Sequence, residues 1–161
     1  MLLISSNSYS GKIMETLENI IKNDQWAVAE GTHKNLPLMI RFRNKLNIEL
    51  NLSKHPQLIQ IYWEFGKHQS GMPSDADSKE MEIFENRLVE ALESDLTGIL
   101  TSVITTNGYR EWVYYTTSIE AFGDKLHNMP QEKEPYPIDI EADNDPNWDY
   151  FFNSVHPKNE T

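Results

Sequence analysis

The sequence predicts an α+β fold, an antiparallel sheet packed under helices, on three observations. Asn107-Gly108 separates two apolar runs, and this dipeptide tolerates the positive φ angles of a tight type I′ hairpin. Met81, Phe84, Leu88, Ala91 and Leu92 recur at helical spacing behind Asp77 and Glu80, which form a capping-box pattern. Leu58 to Phe65, reading LIQIYWEF, is rich in β-branched and aromatic residues and is bounded by His55-Pro56 and Gly66.

The remaining elements follow in chain order. Ser10 to Asn23 carries Ile13, Met14, Leu17, Ile20 and Ile21 on one face, an amphipathic helix expected to dock on the body or on a second copy. Trp26 to Glu30 and Pro37 to Lys45 read as strands around the turn-like GTHKN. In the second, Leu38, Ile40 and Phe42 alternate with Met39, Arg41 and Arg43, so one side is apolar and the other basic. Arg41, Arg43 and Lys45 are expected to balance acids of the neighbouring helix. The loop Gly66 to Asp77 precedes the helix that runs to about Ser94.

Leu96 to Thr106 and Tyr109 to Thr116 form the hairpin. A two-residue turn pairs Thr105 with Arg110, Val103 with Trp112, Ile104 with Glu111 and Leu100 with Tyr115. Ser118 starts a second helix, with Ile119, Phe122 and Leu126 as its buried stripe, which ends before Pro130. Tyr136 to Ile140 is a last strand, placed at an edge because Pro137 cannot donate to a ladder. A short helix follows, capped by Asp145 with Pro146 at its first position, and Trp148, Phe151 and Phe152 anchor it. From Leu58 onward the order is strand, helix, strand, strand, helix, strand, a ferredoxin-like βαββαβ sandwich. The hairpin at 26–45 and the N-terminal helix extend it, giving an extension over 1–25, one domain over 26–155 and a tail over 156–161.

Composition narrows the function. With 161 residues the chain is the size of one domain, and with no cysteine it can form neither disulfides nor thiolate metal sites. A cytoplasmic setting is therefore expected. The first residues lack a signal-peptide core, and no segment has the roughly 18 apolar residues of a membrane span. Net charge is −11 and unevenly placed: residues 1–73 sum to +2 and residues 74–161 to −13. Asp75 to Asp95 and Glu132 to Asp149 hold eight and seven of the 25 acids. Such a surface repels phosphate backbones and attracts basic proteins. Arg110, Trp112 and Tyr114 share one strand face, as in base-stacking sheets, but the acidic field argues against nucleic acid.

A set of separated motifs carries a resemblance: Trp26, LMIRFR at 38–43, IYWEF at 61–65, GMPS at 71–74, IFEN at 83–86, TTNGYREWVYYT at 105–116 and DPNWDY at 145–150. In these the chain resembles the bacterial family catalogued as domain of unknown function 695, over residues 26 to 151 or so. It is more distantly similar to the regulator B family of ribonuclease E inhibitors, acidic α/β proteins that work by binding the enzyme. The resemblance assigns no activity by itself.

No nucleophile elbow, phosphate loop or histidine pair at ligand spacing is present, so no catalytic residue, metal or cofactor is assigned. The polar and aromatic residues within the motifs are the binding candidates: Trp63, Glu64, Glu85, Arg110, Glu111, Trp112, Asp145 and Trp148. The leading expectation is a non-catalytic acidic module that binds a basic protein partner, with self-association through the N-terminal helix as a further expectation. The alternative is a hydrolase-like site built from Glu64, Glu85, Arg110 and Glu111.

Overall fold

The computed structural model describes residues 15–66 and 70–157, which form one six-stranded antiparallel sheet with helices. The elements are α1 (Leu17–Asn23), β1 (Trp26–His33), β2 (Leu36–Arg43), β3 (Gln57–Glu64), α2 (Asp75–Glu93), β4 (Gly98–Thr106), β5 (Tyr109–Thr116), α3 (Ile119–Asn128) and β6 (Ile138–Asn144). A π-helical segment, Tyr150–Val155, closes the chain's described part. Strand order is β1-β2-β4-β5-β3-β6, so β6 and β1 are the edges. The run β4-β5-β3-β6 is consistent with the split βαβ pattern, and β2 and β1 continue the sheet past β4.

Both faces of the central strands β4 and β5 are buried, because their residues are largely apolar on both sides, whereas the edge strands are mostly exposed. On the helix side, Ile59, Ile61, Trp63, Leu100, Val103, Trp112 and Tyr114 pack under Met81, Phe84, Leu88 and Leu92 of α2 and Phe122 of α3. On the outer side, Leu58, Ile99, Ile104, Val113 and Tyr115 pack under Ile20 and Ile21 of α1, Leu46, Leu50 and Leu52 of the β2–β3 connection, and Trp148, Phe151 and Val155. The stripe of α1 is thus used against this chain's own core. Its first residues as read from sequence, through Met14, lie outside the described residues.

Several local expectations are corrected. GTHKN is no five-residue loop: β1 and β2 run on to His33 and Leu36, and only Lys34 and Asn35 turn, both at positive φ. The N-cap of α2 is Ser74, whose hydroxyl accepts from the Asp77 amide while the Asp77 carboxylate accepts from the Ser74 amide. Asp77 is therefore the third helical residue, not the cap. The pairs Thr105–Arg110, Val103–Trp112 and Ile104–Glu111 hold, but a bulge between Leu100 and Ser102 moves Leu100 opposite Tyr114. Ile119 is exposed, leaving Phe122 and half-buried Leu126 as the packed face of α3. β6 extends to Asn144, and no helix starts at Pro146.

Two turn glycines have identifiable work. Gly108 and Asn107 both sit at positive φ in the predicted hairpin turn. Gly71, of the GMPS loop, accepts a hydrogen bond from the Gly108 amide at 2.9 Å, and a Cβ there would stand 3.0 Å from the Asn107 nitrogen. That loop is a strut against the hairpin turn. Arg41 and Arg43 balance acids of α2, as expected from the basic strand face: Arg41 meets Glu85 and Arg43 meets Glu93, while Lys45 lies past the strand.

Candidate functional site: an acid and tyrosine face

The sheet separates the eight candidate residues into three places. Trp63, Glu85, Arg110 and Trp112 lie on the helix side, roofed by α2. The Trp112 indole donates to Glu85 Oε1 at 2.8 Å, and Arg41 Nη2 reaches the same oxygen at 2.6 Å. Phe84 packs edge-on against Trp112 at 5.1 Å between ring centroids, and Trp63 stands 6.2 Å from Trp112. Arg110 donates to Thr105 Oγ1 at 2.9 Å. Burial lowers the Arg110 pKa from its usual range, with the Glu85 charge opposing the shift. The Trp112–Glu85 bond and the ring contacts of Trp63, Phe84 and Trp112 hold α2 on the sheet.

Asp145 and Trp148 form a second group, a clasp on the outer side. Asp145 accepts from the Tyr115 hydroxyl at 2.6 Å and from the amides of Asp149 and Tyr150 at 2.9 and 3.0 Å. It does not cap a helix with Pro146 at its first position: the π-helical segment has Asp149 as its N-cap, with no side-chain capping bond, and Asp145 instead receives amides four and five residues further on. Trp148 is fully buried in a left-handed backbone conformation, stacks on Tyr115 at 4.4 Å, and donates its indole N–H to the His55 carbonyl at 2.8 Å.

Glu64 and Glu111 belong to the third group, on the outer face toward β6, where Tyr150 of the C-terminal segment reaches over buried Glu111 and Glu64 stands exposed. Residues directly opposite on neighbouring strands share a face, and Tyr62 stands between Glu111 on β5 and Asp139 on β6. Glu64 pairs with Tyr109, Gln60 with Glu141, and Leu58 with Asp143. The face thus collects Glu64, Glu111, Asp139, Glu141 and Asp143 around Tyr62 and Tyr109. Glu111 is buried and accepts from Gln60 at 3.0 Å and from the Tyr150 hydroxyl at 2.7 Å. Burial raises its pKa, and the neighbouring Glu141 raises it further. The Tyr62 phenol is pushed up to about 12 by burial, then by Glu111 and Glu141.

Sequence reasoning missed Tyr62, Tyr109, Tyr150, Asp139, Glu141 and Asp143 as members of one surface. The alternation of Ile138, Ile140 and Ala142 with Asp139, Glu141 and Asp143 was the available signal, hidden by ending the strand at Ile140. A shallow groove of about 590 Å³ is lined by Tyr62, Glu64, Tyr109, Asp139, Ile140 and Glu141, with three carboxylates and no cation. Two other hollows each include a lysine among their lining residues, Lys54 in one and Lys133 in the other. None of Glu64, Asp139, Glu141 and Asp143 forms an ion pair among the described residues. No group of three or more His, Asp and Glu side chains there is placed to hold a metal ion. The four residues of the hydrolase-like alternative are divided, with Glu85 and Arg110 on one side of the sheet and Glu64 and Glu111 on the other.

Among the described residues no helix is long and apolar enough to cross a membrane. No curated protein and no solved structure matches the chain. The family of unknown function DUF695 matches residues 24–155, which include every strand, α2, α3 and the clasp. The chain belongs to that family.

Proposed function

We propose that the protein is a non-catalytic binding module whose acid and tyrosine face receives a basic protein partner. One observation carries the reading: Asp139, Glu141 and Glu64 stand exposed around half-buried Tyr62 and Tyr109, without a cation among the described residues. Burial is the main cause of the upward shifts of Glu111 and Tyr62, and the neighbouring carboxylate charges, Glu141 on Glu111 and Glu111 and Glu141 on Tyr62, add to them. A lysine or arginine placed among these carboxylates offsets their charge, and tyrosine rings supply contact area and cation–π attraction. The partner is identified by this chemistry alone, because the family description names no activity.

Charge reversal tests the reading. A lysine-rich peptide should bind the native chain with an affinity that falls steeply between about 50 and 300 mM salt, where screening shortens from roughly 14 to 6 Å. The double variant Asp139→Lys, Glu141→Lys should lose that binding. Affinity that ignores both salt and the double variant contradicts the proposal.

A further inference from the structure

We infer that the partner binds as an added β-strand on the free edge of β6, as an extended segment with basic and apolar residues in alternation. The inference rests on the reading above and specifies the geometry of the partner. Among the described residues β6 pairs only with β3, and the pairing direction of its main chain follows from one bond. The Asp145 amide donates to the Pro56 carbonyl at 2.8 Å, one step beyond the pair Gln57–Asn144. Hydrogen-bonded and non-bonded pairs alternate in an antiparallel ladder, so Asp139, Glu141 and Asp143 aim their main-chain groups at β3. Ile138, Ile140, Ala142 and Asn144 aim theirs outward.

Two of those four outward amides are already closed. The Ile138 amide donates to the Tyr136 carbonyl at 2.9 Å, and the Asn144 amide donates to the Asp143 carboxylate at 2.8 Å. Those of Ile140 and Ala142 have no acceptor among the described residues. They stand two residues apart, about 6.8 Å along the strand, the repeat of an incoming strand. The edge therefore offers one open main-chain window between two closed ends.

Side chains fix what enters that window. Asp139, Glu141 and Asp143 project to the tyrosine face, and Ile138 and Ile140 to the helix side, where Ile140 is 46% exposed. A strand opposite β6 would place alternate residues beside the three carboxylates and the others beside Ile140. Lys or Arg at positions 1, 3 and 5 with apolar residues at 2 and 4 meets both requirements. A second copy does not, because β6 against β6 would oppose carboxylates with carboxylates.

The test separates strand pairing from charge attraction. The probes are two fluorescein-labelled heptapeptides of equal composition, Lys-Val-Lys-Val-Lys-Val-Lys and a blocked version with its lysines contiguous, titrated by fluorescence anisotropy into the full chain. Ala142→Pro removes one outward amide while leaving the acids and the β3 ladder in place, and circular dichroism confirms its fold. The alternating peptide should bind about tenfold more tightly than the blocked one and lose about tenfold on Ala142→Pro. A second version, N-methylated at the valines, should lose the same amount against the native chain and serves if Ala142→Pro does not fold. Equal binding of the alternating, blocked and N-methylated peptides overturns strand pairing while leaving the charge reading intact. No salt-sensitive binding by any of them overturns both.

Discussion

Trp148→Ala is expected to be among the most destabilising single substitutions in the chain, and its cost can be built from contacts. The side chain is fully buried, and Trp-to-Ala truncation in a core costs about 3–5 kcal/mol through lost transfer energy and the cavity left behind. The stack on Tyr115, with planes 13° apart, is part of that loss. Removing the indole also strands the His55 carbonyl, whose unsatisfied burial adds about 1 kcal/mol. Relief of the left-handed backbone is small, since alanine pays nearly the same strain at φ 59°. The sum is about 4–6 kcal/mol, a large fraction of a domain's 5–15 kcal/mol. Urea unfolding followed by tyrosine and residual tryptophan fluorescence should show the midpoint falling at nearly constant m-value. Trp148→Phe keeps a ring on Tyr115 and loses the hydrogen bond, so its cost should be clearly smaller. A loss under about 1 kcal/mol for Trp148→Ala would refute the clasp, because a buried stacked indole cannot be removed so cheaply.

Other substitutions test the remaining parts. Glu85→Leu leaves the Trp112 indole and Arg41 without their shared acceptor and should cost about 2–3 kcal/mol in urea unfolding, whereas Glu85→Gln keeps an acceptor and should cost less. Glu111 has a folded-state pKa raised by burial, so its ionisation opposes folding: its contribution is best below the unfolded carboxyl pKa and is lost as pH rises through the folded value. Glu111→Gln should therefore unfold at a higher temperature than the native chain at pH 7, with the gap closing below about pH 4. Ser74→Ala should lower stability by about 1 kcal/mol, read in the same unfolding experiment, and Asp77→Ala should not exceed it if Ser74 is the cap.

What the sequence conveyed and what it concealed divide along a physical line. Local chemistry was legible: Asn107-Gly108 fixed the hairpin and its first three pairs, and the helical spacing from Met81 to Leu92 fixed the face of α2. The bulge at Leu100–Ser102 was not, because strands apolar on both faces give no alternation that would expose an extra residue. Ser74-Asp77 and Asp77-Glu80 both fit a capping pattern, and the structure uses the first. The candidate site was concealed for a different reason. Arg110 and Glu111 are adjacent in sequence and therefore on opposite faces, and which face lies open depends on where α1 and the C-terminal clasp settle. Tyr62, one residue from Trp63, was passed over on the same account. The acid-dense stretch 132–149 was visible as charge, but its order on one face of an edge strand required β6 to run to Asn144.

The most direct test of the binding account is a chemical-shift titration of the isotope-labelled chain with the alternating lysine–valine peptide at low salt. The account predicts the largest changes at the amides of Ile140 and Ala142 and at the rings of Tyr62 and Tyr109, reversed by added salt. Shifts confined to the Trp148 clasp or to the helix side, or no shifts at all, would contradict it.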